Sequence, residues 1–142
     1  MTARRAAGYT LLEIMVVVFI LGLLATLVAP KILGRTEDAR RTKAIADMKA
    51  IEQALNLYRL DTGGYPTTAQ GLEALVRRPD TPPVPRGYKA DGYLERVPLD
   101  PWGRPFVYVY ATGDTHFLLR SYGADGVEGG EGRFADLDSR EY

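Results

Sequence analysis

The residues whose types could bind a ligand are concentrated near the C-terminus of the chain. Between Gly123 and Tyr142 there are six carboxylates, two arginines and five glycines. Carboxylates supply hard oxygen ligands and glycines let backbone carbonyls turn inward, which suits Ca²⁺ with its roughly 6–8 oxygen ligands. The spacing does not match an EF-hand loop. From the pattern alone, a calcium-binding loop and a solvated acidic loop both remain open, and the solvated loop is the simpler interpretation.

Few other residues could support catalysis. The chain has no cysteine and a single histidine, His116, which excludes disulfides, thiolate chemistry and histidine-rich metal clusters. Ser121 does not lie in a nucleophile-elbow pattern, and the sequence contains no phosphate-binding glycine motif. We therefore predict that the protein is not an enzyme.

Composition and charge narrow the class of protein further. A length of 142 residues favours one domain, and 46% hydrophobic with 25% charged residues is ordinary for a globular chain. The 18 lysines and arginines balance 18 acids, so the formal net charge is zero. A protein that binds nucleic acid through bulk charge is strongly basic. We therefore expect no nucleic-acid partner.

The N-terminal part of the chain has the composition of a membrane helix. From Tyr9 to Pro30 the one charged residue is Glu13, and two arginines precede the segment. A membrane-spanning helix needs about 20 mostly apolar residues. A secretory signal peptide is a rival interpretation, but leucine stands where its cleavage site needs a small residue. A buried core helix is another, but it would keep a polar face.

Glu13 is the unusual residue of this segment. An ionised side chain in a membrane helix costs up to about 3 kcal/mol at the bilayer centre and less near the interface. Such a group either has a partner or reaches the lipid headgroups, and both interpretations are open for Glu13 on its position alone.

Beyond residue 30 the pattern becomes that of a small α+β domain. Apolar residues recur at steps of three or four, which predicts an amphipathic helix that ends at a glycine pair. Alternating β-branched and aromatic residues predict an antiparallel hairpin that packs against this helix. Trp102 is predicted to be a packing anchor between loop and hairpin. The predicted elements are a helix with its stripe at Ile45, Met48, Ile51, Leu55 and Tyr58, a short helix over Thr68–Val76, and strands over Phe106–Tyr110 and His116–Tyr122.

Four motifs together resemble those of a known family. Gly8–Glu13, behind a short basic leader and before an apolar run, resembles the processing site of type IV pilins and pseudopilins. Three further motifs, Tyr65–Leu72, Pro98–Phe106 and Ser121–Gly132, resemble those of one branch, the major pseudopilins of type II secretion systems. The resemblance covers nearly the whole chain.

This resemblance implies a processing and assembly pathway. A prepilin peptidase would cut between Gly8 and Tyr9 and would then methylate the new amine of Tyr9. Glu13 would be needed for assembly and would pair with the N-terminal amine of a neighbouring subunit. The implied segments are a leader peptide, residues 1–8, a transmembrane assembly helix, residues 9–30, and a periplasmic pilin-like domain, residues 31–142.

The resemblance also implies a fold and a metal site. The fold is α+β and pilin-like: a long N-terminal helix, half membrane segment and half amphipathic, packs on a small antiparallel sheet with a C-terminal calcium-binding loop. The family often has an asparagine–tryptophan pair after its last ligand aspartate, whereas this chain has Leu137–Arg140, so Asp138 is an alternative ligand. The implied Ca²⁺ ligands are the side chains of Asp125 and Asp136 and the backbone oxygens of Tyr122 and Val127.

The implied function is structural. The chain would be a subunit of the pseudopilus, polymerised from the bacterial inner membrane with its globular domain in the periplasm, and would drive export of folded proteins across the outer membrane. Its implied partners are further copies of itself, the prepilin peptidase, minor pseudopilins, the inner-membrane assembly platform and membrane lipid. A type IV pilin or minor pseudopilin with an adhesive or binding role is the alternative.

Overall fold

The main helix of this computed structural model, α1, runs from Leu11 to Thr62. The structure describes residues 8–142, and the side chains of residues 27–35 lie outside this description. The predicted leader, residues 1–8, therefore lies outside the described residues except for Gly8. The chain divides into two units, Met1–Thr36 and Glu37–Tyr142.

A capping box begins α1. The Glu13 backbone N–H donates to Thr10 Oγ1 at 3.2 Å, and the Thr10 N–H donates to Glu13 Oε2 at 3.5 Å. This reciprocal pair satisfies two donors that the first turn of a helix leaves without intrahelical partners. It also places a carboxylate at the positive end of the helix dipole, which is favourable.

The first unit exposes the large apolar side chains that the structure describes. Within the described part of the chain, none of the helices has the length of apolar sequence that a membrane crossing requires. The predicted transmembrane segment, residues 9–30, stays a prediction. The exposed apolar side chains of this unit are Tyr9, Leu11, Leu12, Ile14, Met15, Val16, Val17, Val18, Phe19, Ile20, Leu21, Leu23 and Leu24.

The second unit is built on the predicted helical stripe, which is confirmed. The helix ends where expected, since Gly63 has φ +87° and donates its N–H to the Arg59 carbonyl at 2.8 Å. Glycine adopts this left-handed conformation without the strain of a side chain. The buried residues of α1 are Ala44, Met48, Ile51, Ala54, Leu55 and Tyr58, and Ile45 packs against them.

A small antiparallel sheet covers this stripe. Its strands are β1, Val107–Val109, β2, Leu118–Ser121, and β3, Leu137–Asp138, in the order β1-β2-β3. The predicted hairpin of β1 and β2 is confirmed, although both strands are shorter than predicted. Strand β3 was not predicted, because two residues are too few to show an alternating pattern.

The predicted short helix over Thr68–Val76 is wrong in length and type. The structure has a turn followed by a 3-10 helix, Leu72–Leu75. Gln70 closes the turn by accepting the Thr67 N–H at 3.0 Å, and Gly71 with φ +61° interrupts the helical backbone. The Gln70 amide also donates to the Thr81 and Pro83 carbonyls at 2.7 and 3.0 Å, which fixes the proline-rich loop. Two further 3-10 helices are Gly132–Phe134 and Ser139–Glu141.

The core of the second unit joins the helix to the sheet. Leu119 of β2 and Leu137 of β3 are fully buried in the same apolar cluster as the helical stripe. Tyr108 of β1 is also buried, and its hydroxyl donates to the Pro66 carbonyl at 2.7 Å. Burial raises the pKa of Tyr108 above its ordinary value, because the charged phenolate would lose its hydration.

The helical stripe is tested by truncating one residue on it and one outside it. We expect Leu55→Ala to lower the free energy of unfolding by about 2–5 kcal/mol, since Leu55 has no exposed surface and the substitution leaves a cavity. Leu60→Ala, at a residue of the same helix that is 79% exposed, should change it by less than about 0.5 kcal/mol. Urea unfolding of the full chain in mild detergent measures both. Equal effects would contradict the packing described here.

Candidate functional site

The N-terminal site is open to a partner. Gly8 and Tyr9 precede the first helical residue, and Tyr9 is 79% exposed. Among the described residues, apart from the chain neighbours of Gly8, no atom lies within 4 Å of the place where a Cβ on Gly8 would sit. The predicted scissile bond between them is therefore accessible. Glu13 is exposed in the first helical turn, where the capping box holds its carboxylate.

The C-terminal loop, residues 123–136, is organised around one guanidinium. Arg120 of β2 lies 3.0 Å from Glu128 Oε1, 3.3 Å from Asp138 Oδ2 and 3.7 Å from Asp136 Oδ2. Arg120 and Asp138 are register partners across β2 and β3, so the sheet itself brings these two side chains together. Asp136 lies immediately before β3, and Glu128 lies within the loop.

A second arginine completes the pairing of Asp138. Arg140 donates from Nε to Asp138 Oδ1 at 2.9 Å and from Nη2 to Oδ2 at 2.7 Å. This two-pronged contact is the strongest geometry that a guanidinium and a carboxylate can adopt. The hydrogen bonds from Arg140, with a smaller contribution from Arg120, lower the pKa of Asp138 well below its ordinary value. Both carboxylate oxygens of Asp138 thus bind arginine, although Asp138 is the alternative Ca²⁺ ligand in the sequence-based prediction.

The predicted Ca²⁺ ligands lie in two parts of this loop. Asp125 Oδ1 accepts the Val127 N–H at 3.2 Å, and the Tyr122 carbonyl accepts the Gly126 N–H at 3.3 Å, so these residues form one turn. Asp136 Oδ2 accepts the Gly129 N–H at 3.0 Å. Among the described residues, no group of three or more His, Cys, Asp or Glu side chains is arranged to hold a metal ion. The Ca²⁺ site stays a prediction.

One observation favours a cation at Asp136. Its second oxygen, Oδ1, is buried and has no hydrogen-bond partner in the described chain. A buried carboxylate oxygen is costly without a partner, and Ca²⁺ binds this kind of oxygen. The chemistry of Asp136 therefore fits the implied ion.

The loop is attached to the rest of the domain through Asp100, which the sequence analysis did not single out. The buried Asp100 carboxylate accepts the Ser121 hydroxyl at 2.7 Å and the Trp102 and Arg104 N–H groups at 3.1 and 2.8 Å. Ser121 in turn accepts the Gly123 N–H at 3.2 Å. Asp100 thus joins the turn at residues 100–104 to the first residue of the loop.

Other polar contacts fix the two ends of the loop. Arg104 Nη1 donates to the Gly123 carbonyl at 2.9 Å, and Arg41 Nη1 of α1 donates to the Ala135 carbonyl at 2.9 Å. The Arg104 guanidinium also lies against Gly126, where a Cβ would come within 2.3 Å of its central carbon. A side chain at position 126 would displace this arginine, which is a physical reason for glycine there.

Trp102 is a packing anchor, as predicted, but α1 is an additional partner. Its ring packs against the core, and Nε1 donates to Glu37 Oε1 at 3.0 Å. The prediction had placed Trp102 between loop and hairpin, and the distant partner Glu37 could not be deduced from local sequence. His116 lies on the exposed hairpin connection, 2.7 Å from Thr115 Oγ1, and not within β2.

The fold and the N-terminal site together define a pilin-like structural protein. Residues 31–140 match the family model described as type II secretion system protein G, and residues 3–29 match the model of the prokaryotic N-terminal methylation motif. The chain therefore belongs to the type II secretion system protein G family. This membership makes it a major pseudopilin, a structural subunit of the pseudopilus, and it confirms that prediction over the pilin or minor-pseudopilin alternative.

Individual relatives agree with the family match. The type II secretion system core protein G of Pseudomonas aeruginosa is 50% identical over 137 residues, which is 96% of this chain and 96% of that protein. Its counterpart in Vibrio cholerae is 52% identical over 135 residues, 94% of this chain and 91% of that protein. The crystal structure of the major pseudopilin from enterohaemorrhagic Escherichia coli superposes with a TM-score of 0.65 at 40% identity, covering 75% of this chain and 87% of that one.

The attachment of the loop is tested at Asp100. We expect Asp100→Ala to lower the free energy of unfolding by at least about 2 kcal/mol. The reason is that three donors lose their acceptor: the buried Ser121 hydroxyl and two backbone N–H groups. Asp91→Ala removes an exposed carboxylate and should change it by less than about 0.5 kcal/mol. Thermal and urea unfolding of both variants measure the difference. An Asp100→Ala protein as stable as Asp91→Ala would refute the role given to Asp100.

Proposed function

We propose that the chain is made as a precursor, anchored in the bacterial inner membrane through residues 9–30 with its globular domain in the periplasm. The leader is removed after Gly8, the new N-terminus at Tyr9 is methylated, and the subunits polymerise into a pseudopilus that drives folded proteins across the outer membrane. The observation that carries this proposal is the exposed Gly8–Tyr9 bond, which stands directly before a capped helix with exposed apolar residues.

The exposed apolar side chains support burial in lipid and against other subunits. From Leu11 to Leu24 the large apolar residues are all exposed in the isolated chain. Soluble monomers rarely expose a continuous apolar surface of this kind, and such surfaces mark membrane or protein contacts. The partners we propose are lipid, further copies of the chain, the prepilin peptidase, minor pseudopilins and the inner-membrane assembly platform.

Glu13 is proposed to select the position of the neighbouring subunit. After processing, the amine of Tyr9 would be a positive charge four positions before Glu13 in the sequence. Two charges that are costly alone in an apolar environment become tolerable as a pair. The capping box supports this role, because it holds the carboxylate at the N-terminal end of the helix.

We also propose that the C-terminal loop binds Ca²⁺. Asp125 and Asp136 would be the side-chain ligands, with the backbone oxygens of Tyr122 and Val127, and the ion would supply positive charge that offsets the repulsion of the carboxylates. The buried, unpartnered Oδ1 of Asp136 supports this proposal.

Processing is tested by Gly8→Ala. The open space around Gly8 accepts a methyl group, so the variant should fold and insert, yet we expect it to keep its leader because the peptidase site is changed. The matched control is Gly22→Ala, also with open space around it, which should be cut and methylated normally. Intact-mass and N-terminal peptide mass spectrometry read out both. A methylated Tyr9 N-terminus in Gly8→Ala would contradict the assigned site.

The charge pair is tested by two substitutions at Glu13. Glu13→Ala should still be inserted and cut but should assemble poorly, because the neighbour's amine loses its partner. Glu13→Gln separates charge from capping, since glutamine can also complete a capping box. We expect Glu13→Gln to assemble as poorly as Glu13→Ala. Filament yield after chemical cross-linking is the measurement, and normal yield from Glu13→Gln would remove the charge-pair role.

A further inference from the structure

The acidic C-terminal loop already contains a positive charge that belongs to the chain. The Arg120 guanidinium is within 4 Å of three carboxylates, those of Glu128, Asp136 and Asp138. Arg140 pairs with Asp138 as well. Two guanidinium groups thus face three carboxylates, which leaves this cluster with a formal charge of −1.

The burial of these groups gives the pairing its strength. The side chain of Arg120 is 22% exposed, and those of Asp136 and Asp138 are 15% and 9% exposed, whereas Glu128 is 71% exposed. Ion pairs between exposed side chains contribute little, but screening by solvent weakens as the charges are buried. The pairs with Asp136 and Asp138 are therefore the ones that matter, and the pair with Glu128 is an exposed addition.

The position of Arg120 lets it hold both ends of the loop. Arg120 lies on β2, three residues before Gly123, where the loop begins, and its partners Asp136 and Asp138 lie where the loop returns to β3. A single side chain therefore bridges the two strands and the segment between them. Arginine suits this position because its planar head carries several donors in a fixed geometry.

The divergent tail is part of the same arrangement. In the segment Leu137–Arg140, the Asp138 carboxylate accepts hydrogen bonds from both Arg120 and Arg140. This segment thus supplies one of the three carboxylates that surround the Arg120 guanidinium.

We propose that Arg120 is an internal counter-cation of the loop, which keeps the loop folded without Ca²⁺ and weakens Ca²⁺ binding. The inference about weakened binding rests on the Ca²⁺ site proposed above, because Asp136 would serve both cations. A Ca²⁺ ion on Asp136 would lie close to the Arg120 guanidinium, and two positive charges at that separation repel. The folding role of Arg120 stands on the observed ion pairs alone.

The test compares Arg120→Gln with wild type and with Arg133→Gln, using the full chain in mild detergent with Ca²⁺ or with chelator. Arg133→Gln makes the same change in net charge at an exposed arginine of the same loop. Amide hydrogen exchange of residues 123–138, followed by mass spectrometry, reports on the folding of the loop. Isothermal titration with Ca²⁺ reports on affinity.

In chelator, we expect loop exchange in Arg120→Gln to be about tenfold faster than in wild type, and Arg133→Gln to stay within about twofold of wild type. In the presence of Ca²⁺ the difference should shrink, and Arg120→Gln should bind Ca²⁺ about tenfold more tightly than wild type. Arg120→Lys keeps the charge without the planar head, and its loop exchange rate should lie between those of wild type and Arg120→Gln.

The two proposals fail in distinguishable ways. If Ca²⁺ affects no variant but Arg120→Gln still exchanges faster than wild type, the counter-cation role stands and the Ca²⁺ site is wrong. If wild type and Arg120→Gln exchange equally in chelator, the counter-cation role is overturned. It is also overturned if chelator speeds the amide exchange of the wild-type loop as much as that of the Arg120→Gln loop.

Discussion

The second unit of this protein depends on the burial of one helical stripe. The three strands have three, four and two residues, and a sheet of this size does not hold together without an apolar partner. Leu119 and Leu137 reach that partner, because they are buried in the same cluster as Ile51 and Leu55 of α1. Packing on α1 therefore positions the sheet and the loop that connects β2 to β3.

Polar contacts between these packed elements then fix the conformation of the C-terminal loop. On α1, Glu37 accepts a hydrogen bond from Trp102. Arg41, one turn later, donates a hydrogen bond to the Ala135 carbonyl. Asp100 connects the Trp102 turn to Ser121 at the end of β2. The contacts of Glu37, Arg41 and Ser121 are buried or half-buried and join segments far apart in sequence, so the surrounding domain helps to determine the conformation of the loop.

This dependence explains which features could be predicted from the sequence. Stripe residues such as Met48 and Leu55 repeat with the helical period, and the β1–β2 hairpin shows alternation, so both were predictable. The sequence motifs also identified the family, because Gly8–Glu13 and the motifs of the second unit are local. Strand β3 was not predictable, since it is two residues long and is defined by its antiparallel pairing with the edge of β2.

The same limit applies to the candidate site. Asp100 looks like an ordinary turn residue in the sequence, and its importance comes from Ser121, 21 positions later. From the sequence, Asp138 is only an alternative Ca²⁺ ligand, whereas the structure places it between two arginines. In both cases the deciding partner is distant in the sequence, 21 positions away for Asp100 and Ser121 and 18 for Arg120 and Asp138, and no local pattern contains such a contact.

The acidic loop shows why the choice of cation matters for a subunit of a filament. A bound ion holds a loop only while its concentration exceeds the dissociation constant, and its stabilising effect grows with that ratio. A guanidinium fixed to β2 is always present, and the ordering of its side chain is assisted by its neighbours across the sheet. The pairs of Arg120 with Asp136 and Asp138 would therefore give this loop a source of order that does not depend on the concentration of free Ca²⁺. This pairing requires one arrangement of carboxylates, to which the Leu137–Arg140 segment contributes Asp138.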